Sequence, residues 1–250
     1  MAAIVAVYSM KGGVGKSSLA VNLAEGWARA GARSLLWDVD AQGAASFLLG
    51  QPASHTRAGQ IFSRDVAPAE VVEPTAHAGL DLIAADLSLR HLDVALAEAD
   101  KPKRLKKLLG ALAGDYDRIV LDCPPGLGEL SEQLFRAADL LVVPLVPSPL
   151  SVRTLEQVRE ALVARGKKAP GLLPVFSMVD RRKALHREML DAHPDWPAIP
   201  QASVVEQMGI HRAPLASFAA KSPAAAAIAN VQARADLLLD SAKWLGRGEG

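Results

Sequence analysis

Ala3-Ile4-Val5-Ala6-Val7-Tyr8-Ser9-Met10-Lys11-Gly12-Gly13-Val14-Gly15-Lys16-Ser17-Ser18 is the stretch that decides the fold. Residues 3–8 are apolar and read as a buried first strand. A glycine-rich turn follows. Lys16 then opens a helical pattern that runs to residue 30 and stops at Gly31. Strand, glycine turn and helix in that order are the context a phosphate-binding loop requires. The glycines let backbone N–H groups turn inward around phosphate oxygens, and the helix N-terminus adds a favourable dipole potential. In such a loop Lys16 bridges the β- and γ-phosphates, and the Ser17 hydroxyl is a magnesium ligand. Six of the eight residues from Lys11 to Ser18 suit a phosphate role, which weighs against a bare glycine turn.

Outward from this loop, short apolar runs alternate with helical patterns. Residues 34–38, 79–84, 118–122, 139–144 and 172–178 read as strands. Residues 151–165 and about 222–246 read as helices, the latter with Pro223 in its first turn. Strands separated by helices imply βαβ crossovers, so the expected class is α/β with a mostly parallel central sheet and helices on both faces. No internal repeat, low-complexity linker or domain boundary interrupts residues 1–250. Residues 51–78, rich in Ala, Pro and Gly, are the least legible.

Composition narrows the function. The 250 residues are 50% hydrophobic and 22% charged, an ordinary globular balance. Lys plus Arg is 28 and Asp plus Glu is 27, a net charge of +1 that excludes binding nucleic acid by bulk charge alone. A local basic patch remains open. The one cysteine, Cys123, excludes a disulfide framework and any multi-thiolate zinc or iron–sulfur site, and suggests the reducing cytosol. Aromatics at 4% argue against a single-strand binder built on stacked bases. No run reaches the roughly 18 apolar residues of a membrane span. The N-terminus does not read as a signal peptide.

Two acidic strand ends stand beside the loop. Leu35-Leu36-Trp37-Asp38-Val39-Asp40-Ala41-Gln42-Gly43 places carboxylates at i and i+2, which on a strand point to one side. At the carboxyl end of a parallel strand they face the nucleotide crevice. Arg118-Ile119-Val120-Leu121-Asp122-Cys123-Pro124-Pro125-Gly126 is a buried strand ending in an acid that can hold magnesium, commonly through water. Cys123 reads as a small packed residue and a weak nucleophile candidate.

The loop departs from the G-x-x-x-x-G-K-[ST] pattern, because Met10 stands where the first glycine would be and Lys11 is extra. Here the sequence resembles the deviant-Walker ATPases of the ParA/MinD family, whose loop reads K-G-G-x-G-K-[ST]. Asp38 to Gly43 resembles that family's D-x-D-P-Q-G segment, with Ala41 at the usual proline. Asp122 to Gly128 nearly completes its D-C-P-P-S-L-G. Residues 143–151, 176–182 and 199–203 match more loosely, so the resemblance runs from residue 3 to about 240.

The resemblance implies a single deviant-Walker domain of the P-loop NTPase fold over residues 1–250, with its C-terminal helical segment at about 222–246. It implies ATP and Mg2+ as cofactors and a homodimer that sandwiches two ATP molecules. Lys11, Gly12, Gly13, Val14, Gly15, Lys16, Ser17 and Ser18 then bind the nucleotide, and Met178, Pro200 and Ala202 border its base. Lys11 crosses the dimer interface to the partner's nucleotide and joins Lys16 and Asp40 in the catalytic set. Asp40 positions or activates the attacking water. Asp38 stands with Ser17 and Asp122 at the magnesium.

Within that family, iron–sulfur members need several cysteines, and tyrosine kinases end in a tyrosine cluster where this chain has only Tyr8 and Tyr116. MinD-type members end in an amphipathic membrane helix, but residues 241–250 offer only Trp244 and Leu245 as anchors. Metabolic relatives lack the extra lysine. The sequence therefore resembles the short ParA form, a Mg-dependent ATP hydrolase for plasmid, chromosome or large protein cargo. The resemblance implies non-specific DNA binding by the ATP dimer, hydrolysis stimulated by a partner protein, a cytoplasmic, nucleoid-associated location and no membrane. Arg182 matches a DNA-contacting position, with Arg181 and Lys183 beside it. Val204 occupies the usual second position, leaving Arg212 and Lys221 as substitutes. Lys101, Lys103, Arg104, Lys106 and Lys107 form the densest basic run and read as a solvated helix face. The rival readings are a MinD-like or regulatory nucleotide switch that does not bind DNA, and a small-molecule ligase or kinase indifferent to Lys11.

Overall fold

A computed structural model describes residues 2–51, 58–63, 66–91, 103–126, 128–166 and 169–245. Lys101, Leu127 and the tail beyond Leu245 lie outside the described residues. The first apolar run is β1 (Ala3–Val7), and the helix after the glycine turn is α1 (Lys16–Arg29). Next come β2 (Ser34–Asp38), α2 (Ala44–Leu48), α3 (Ala58–Ser63), β3 (Glu73–Pro74) and β4 (Leu80–Ile83). The middle holds α4 (Arg104–Leu112), β5 (Arg118–Asp122), α5 (Glu129–Ala137), β6 (Leu140–Leu145) and α6 (Pro149–Val163). The remainder is β7 (Gly171–Val179), α7 (Ala184–Ala192), β8 (Ala198–Pro200), α8 (Ser203–His211), α9 (Leu215–Phe218) and α10 (Pro223–Leu245).

The strands form one eight-stranded sheet in the order β3-β4-β2-β5-β1-β6-β7-β8. Every pairing is parallel except β3 with β4. Both faces of the sheet are buried, as continuous apolar strands require. Leu35 and Trp37 of β2 point into one core with Tyr8, Leu109, Phe135 and Phe176. Leu36 points into the other with Leu19, Leu23, Trp27, Val231 and Leu239 of α1 and α10. That alternation is the period of two expected of a strand. Each such side chain contributes roughly 1.5–3 kcal/mol by leaving water. The ring nitrogen of Trp27 donates to Asp236 at 2.9 Å, and Arg118 pairs with the same carboxylate at 3.1 Å, which anchors α10 across α1.

All the expected strands form, within a residue or two at their ends. The least legible region yields β3, a two-residue antiparallel edge ending at Pro74, where proline's missing N–H does no harm. The short β8 and the helices α7, α8 and α9 lie outside the expected elements, because each is too short to show a period.

The sheet sets up the site through its register. Asp38 and Asp122 are direct partners at the carboxyl ends of adjacent strands β2 and β5. β5 also pairs with β1, whose end launches the glycine loop. The order of strands in the sheet, not their order in the chain, brings the three motifs together.

Candidate active site

The glycine loop has the backbone its composition permits. Gly13 (φ 70) and Gly15 (φ 85) are left-handed, a region that residues with a Cβ seldom enter. Gly15 is also the N-cap of α1. It offers no capping side chain, and no acidic residue lies in the first turn. The amide end of the helix therefore faces a cleft of about 1020 Å³, walled by Gly12, Lys16, Ser17, Asp40 and Gln42 among others. The Ser177 hydroxyl donates to the Val14 carbonyl at 2.8 Å and ties the loop to β7. Lys16 is only 7% exposed, and its ammonium donates to the Lys11 carbonyl at 3.3 Å.

The carboxylates differ in how they are held. Asp122 is fully buried, and among the described residues neither of its oxygens has a hydrogen bond of ordinary geometry. Burial above all, then the charge of Asp38, pushes its carboxyl well above the usual range, while the nearby Ser17 hydroxyl and Lys16 ammonium oppose that shift. An orphaned buried carboxylate beside a serine hydroxyl and a lysine is the donor set a hard cation and its phosphates require, so the residues fit Mg2+. Asp38 is equally buried but satisfied. It accepts from Ser46 N at 2.8 Å, from Ser46 Oγ at 2.7 Å and from Asp40 N at 3.2 Å. Burial still raises its carboxyl to about 6 against those hydrogen bonds. Sequence places Asp38 at the metal; the structure gives its oxygens to the Asp40 loop and to α2. Ser46 Oγ also accepts from Ala85 N at 3.0 Å, extending the network to the end of β4.

Asp40 lies on the cleft wall. Its Oδ1 accepts from Gln42 N at 3.0 Å, and its carbonyl from Gly43 N at 2.8 Å, a compact turn that lines the same cleft as the phosphate loop. On the far side, the Tyr8 hydroxyl and the Ser131 hydroxyl both donate to the Gly126 carbonyl, at 2.8 and 3.0 Å. They hold the turn that follows Asp122. The Cys123 thiol is fully buried and pushed up, first by burial and then by the Asp122 charge, as a packed residue would be.

Met178, Pro200 and Ala202 come together around a smaller cavity of about 100 Å³, completed by Val14, Ser18 and Ile228. It adjoins the phosphate loop, since Gly15 and Ser18 line both spaces. Lys11 turns along its own chain, its ammonium 3.5 Å from Ser151 Oγ, which in turn lies 2.9 Å from Ser148 Oγ at the start of α6.

The basic residues divide into separate environments. Arg181, Arg182 and Lys183 are exposed on the turn between β7 and α7, and Lys221 is exposed just before α10. Arg182 forms two parallel 2.9 Å contacts with Asp180, whose carboxyl is held at about 2 chiefly by that hydrogen-bonded pair. Arg212 instead lines the phosphate cleft, its guanidinium 4.8 Å from the Phe47 ring centre. In the basic run of α4, Lys103, Lys106 and Lys107 are exposed, but Arg104 is buried and donates to the carbonyls of Ile61 (2.6 Å) and Phe62 (3.1 Å). Arg104 is thus a structural tie, not part of a solvated face. A second cleft of about 1020 Å³ lies at the opposite end of the strands, near Lys106, Arg136, Asp139 and Gly171, and holds no phosphate loop.

Sequence reasoning missed Ser46, Tyr8 and Ser151 as supports. Ser46 and Ser151 each carry one sequence signal, a serine in the first turn of a helix, and Tyr8 carries none.

The AAA domain family model matches residues 2–168. The chromosome partitioning protein ParA of Myxococcus xanthus is 33% identical over 198 residues, covering 75% of this chain and 69% of that protein. Among solved structures, the septum site-determining protein MinD of Pyrococcus horikoshii, complexed with Mg-ADP, superposes with a TM-score of 0.78. The match covers 97% of this chain and 99% of that one, and at 22% identity it bears on the fold alone. Cobyrinic acid a,c-diamide synthase of Mycobacterium smegmatis, with bound ATP analogue and magnesium, is 28% identical with a TM-score of 0.72, the match covering 81% of this chain and 86% of that one. Fold, motifs and relatives agree, and the chain belongs to the ParA/MinD family of P-loop ATPases.

Proposed function

We propose that this protein hydrolyses ATP with Mg2+, dimerises in the ATP state, binds DNA non-specifically and positions a cargo, with a partner protein accelerating hydrolysis. One observation carries the catalytic part: the buried, unsatisfied carboxylate of Asp122 lies beside Lys16 and Ser17 in a cleft walled by an uncapped helix N-terminus. Such a group is costly in the empty protein and becomes favourable only with a ligand of matching charge. The ParA relative supports the partition reading.

Bound Mg2+ would draw charge from the β- and γ-phosphate oxygens, with the Ser17 hydroxyl and, through water, Asp122 as its protein ligands and Asp38 behind them. The chain's own groups do the rest. Loop amides and the Lys16 ammonium hold the phosphates and stabilise the charge that develops as the γ-phosphoryl leaves. Asp40 orients a water for in-line attack on the γ-phosphorus, yielding ADP and phosphate. Asp38, through Ser46 and the Asp40 amide, keeps that loop in place. Met178, Pro200 and Ala202 border the base. Lys11, released from Ser151, lends its charge to the partner's nucleotide. Arg181, Arg182, Lys183 and Lys221 meet DNA phosphates without reading bases. The protein acts in the cytoplasm on the nucleoid.

A DNA-shift assay with the hydrolysis-blocked Asp40→Ala form tests this. DNA is retained with ATP at low salt, not without nucleotide, and retention weakens with Arg182→Ala. No shift at any salt contradicts DNA binding and leaves a nucleotide switch of the MinD-like kind. ATP turnover indifferent to Lys11→Ala contradicts the dimer and points to a ligase or kinase.

A further inference from the structure

Among the described residues, two non-glycine positions have left-handed backbones, Met178 (φ 54) and Arg212 (φ 47). Met178 borders the base cavity. Arg212 caps the C-terminus of α8, where glycine is the usual residue. An arginine held in that strained conformation asks what its side chain does.

The guanidinium lies over the ring of Phe47, a residue that stays 46% exposed with the arginine in place. Arg212 also passes near the chain just beyond α2: a Cβ added to Gly50 would meet it in ordinary van der Waals contact, 3.7 Å from the Arg212 carbonyl oxygen and 3.8 Å from its Cβ. Among the described residues no carboxylate pairs with this arginine. Its partner is the aromatic face, an attraction of the cation–π type.

Phe47 belongs to α2, the short helix that follows the Asp40-Ala41-Gln42-Gly43 turn without a spacer. The inner side of α2 is held by Ser46 on Asp38, and the outer side by Arg212 on Phe47. The other end of α8 reaches the base cavity, which Ala202, Val205 and Glu206 line. One nine-residue helix therefore joins the space beside the base to the helix behind Asp40.

We propose that Arg212 is a positioning residue for hydrolysis: its guanidinium clamps α2 against α8 and keeps the Asp40 turn over the phosphate loop. The sequence suggested a DNA contact at this position. The cleft-wall location and the stack on Phe47 favour the clamp instead. The proposal rests on the ATP-site reading above.

Arg212→Gly, Arg212→Lys, Phe47→Leu and the Arg212→Gly/Phe47→Leu double variant test it, by single-turnover ATP hydrolysis, ATP affinity and thermal melting. Glycine relieves the left-handed strain, so Arg212→Gly melts no lower than wild type. Its hydrolysis rate nevertheless falls about tenfold, with ATP affinity within about twofold. Phe47→Leu falls similarly, the double variant is no slower than the worse single, and Arg212→Lys retains most of the rate because an ammonium also sits over an aromatic face. Losses that multiply in the double variant overturn the clamp. So does an unchanged rate in Arg212→Gly, or a loss of ATP affinity with the rate at saturation intact, which would make Arg212 a direct nucleotide contact. Absence of ATP binding in the wild type would overturn the ATP-site reading itself, a separate result.

Discussion

The strand ends at Asp38 and Asp122 and the turn at Arg181–Lys183 both concentrate charge, yet they hold it in opposite ways. At the strand ends the groups are buried, and among the described residues one carboxylate, Asp122, is left without a hydrogen bond of ordinary geometry. At the turn Arg182 is 90% exposed and already paired with Asp180. A buried carboxyl with no such partner is held toward its neutral form until a cation completes it, so the first region points to its ligand class by its own geometry. An exposed ion pair is held weakly and is screened by salt, so the second region is compatible with a DNA surface but equally with a solvated turn. Geometry speaks for the nucleotide more strongly than for the nucleic acid.

The widest separation between the two regions is expected from Lys16→Ala. Turnover falls by on the order of 10²–10³-fold, since the lost charge is a buried one at the phosphate loop, while folding, followed by circular dichroism, is retained. An active Lys16→Ala protein would erase the contrast.

Asp122→Asn sharpens it by moving activity and stability in opposite directions. Turnover drops by about 10²-fold. Without nucleotide or Mg2+ the melting temperature at pH 7 rises, by about 2–4 °C for each kcal/mol recovered. The sign follows from the raised carboxyl. The native state prefers the protonated form, so ionisation above about pH 4, the ordinary unfolded value, destabilises it. The gain in the variant therefore shrinks as pH falls toward 4, and melting curves from pH 4 to 7 measure it.

Arg182→Ala is a smaller effect. Affinity for DNA falls alike across sequences, and the slope of log affinity against log salt decreases by about 1. Folding stability barely changes, as for an exposed position. The smallest effect is local. In Arg182→Ala the Asp180 carboxyl, titrated by NMR, climbs from about 2 toward the ordinary carboxylate range. Because that carboxyl is held low, whatever the pair contributes is present above about pH 4 and fades as pH falls toward 2. A midpoint unmoved by the substitution would mean that the pair does not persist in solution.

Much of the catalytic half was legible because chemistry and fold leave the same mark there. Apolar runs end in Asp38 and Asp122, and Gly13 and Gly15 occupy the left-handed positions that make the loop possible. The supports were illegible because their partners are far away in sequence. Ser46 meets Asp38 across a strand end, Tyr8 meets Gly126 across 118 residues, and Arg212 at the end of α8 meets Phe47 in α2. The basic residues misled for the same reason. Charge in sequence does not tell Arg104, turned inward onto the Ile61 and Phe62 carbonyls, from its exposed neighbours Lys103 and Lys106.

Calorimetric titration of Mg-ATP into the purified protein and into Lys16→Ala bears most directly on the buried-charge site. One nucleotide per chain should bind the wild type and fail to bind the variant. Equal binding by both, or none by the wild type, would contradict a nucleotide cleft built from Lys16, Ser17 and Asp122.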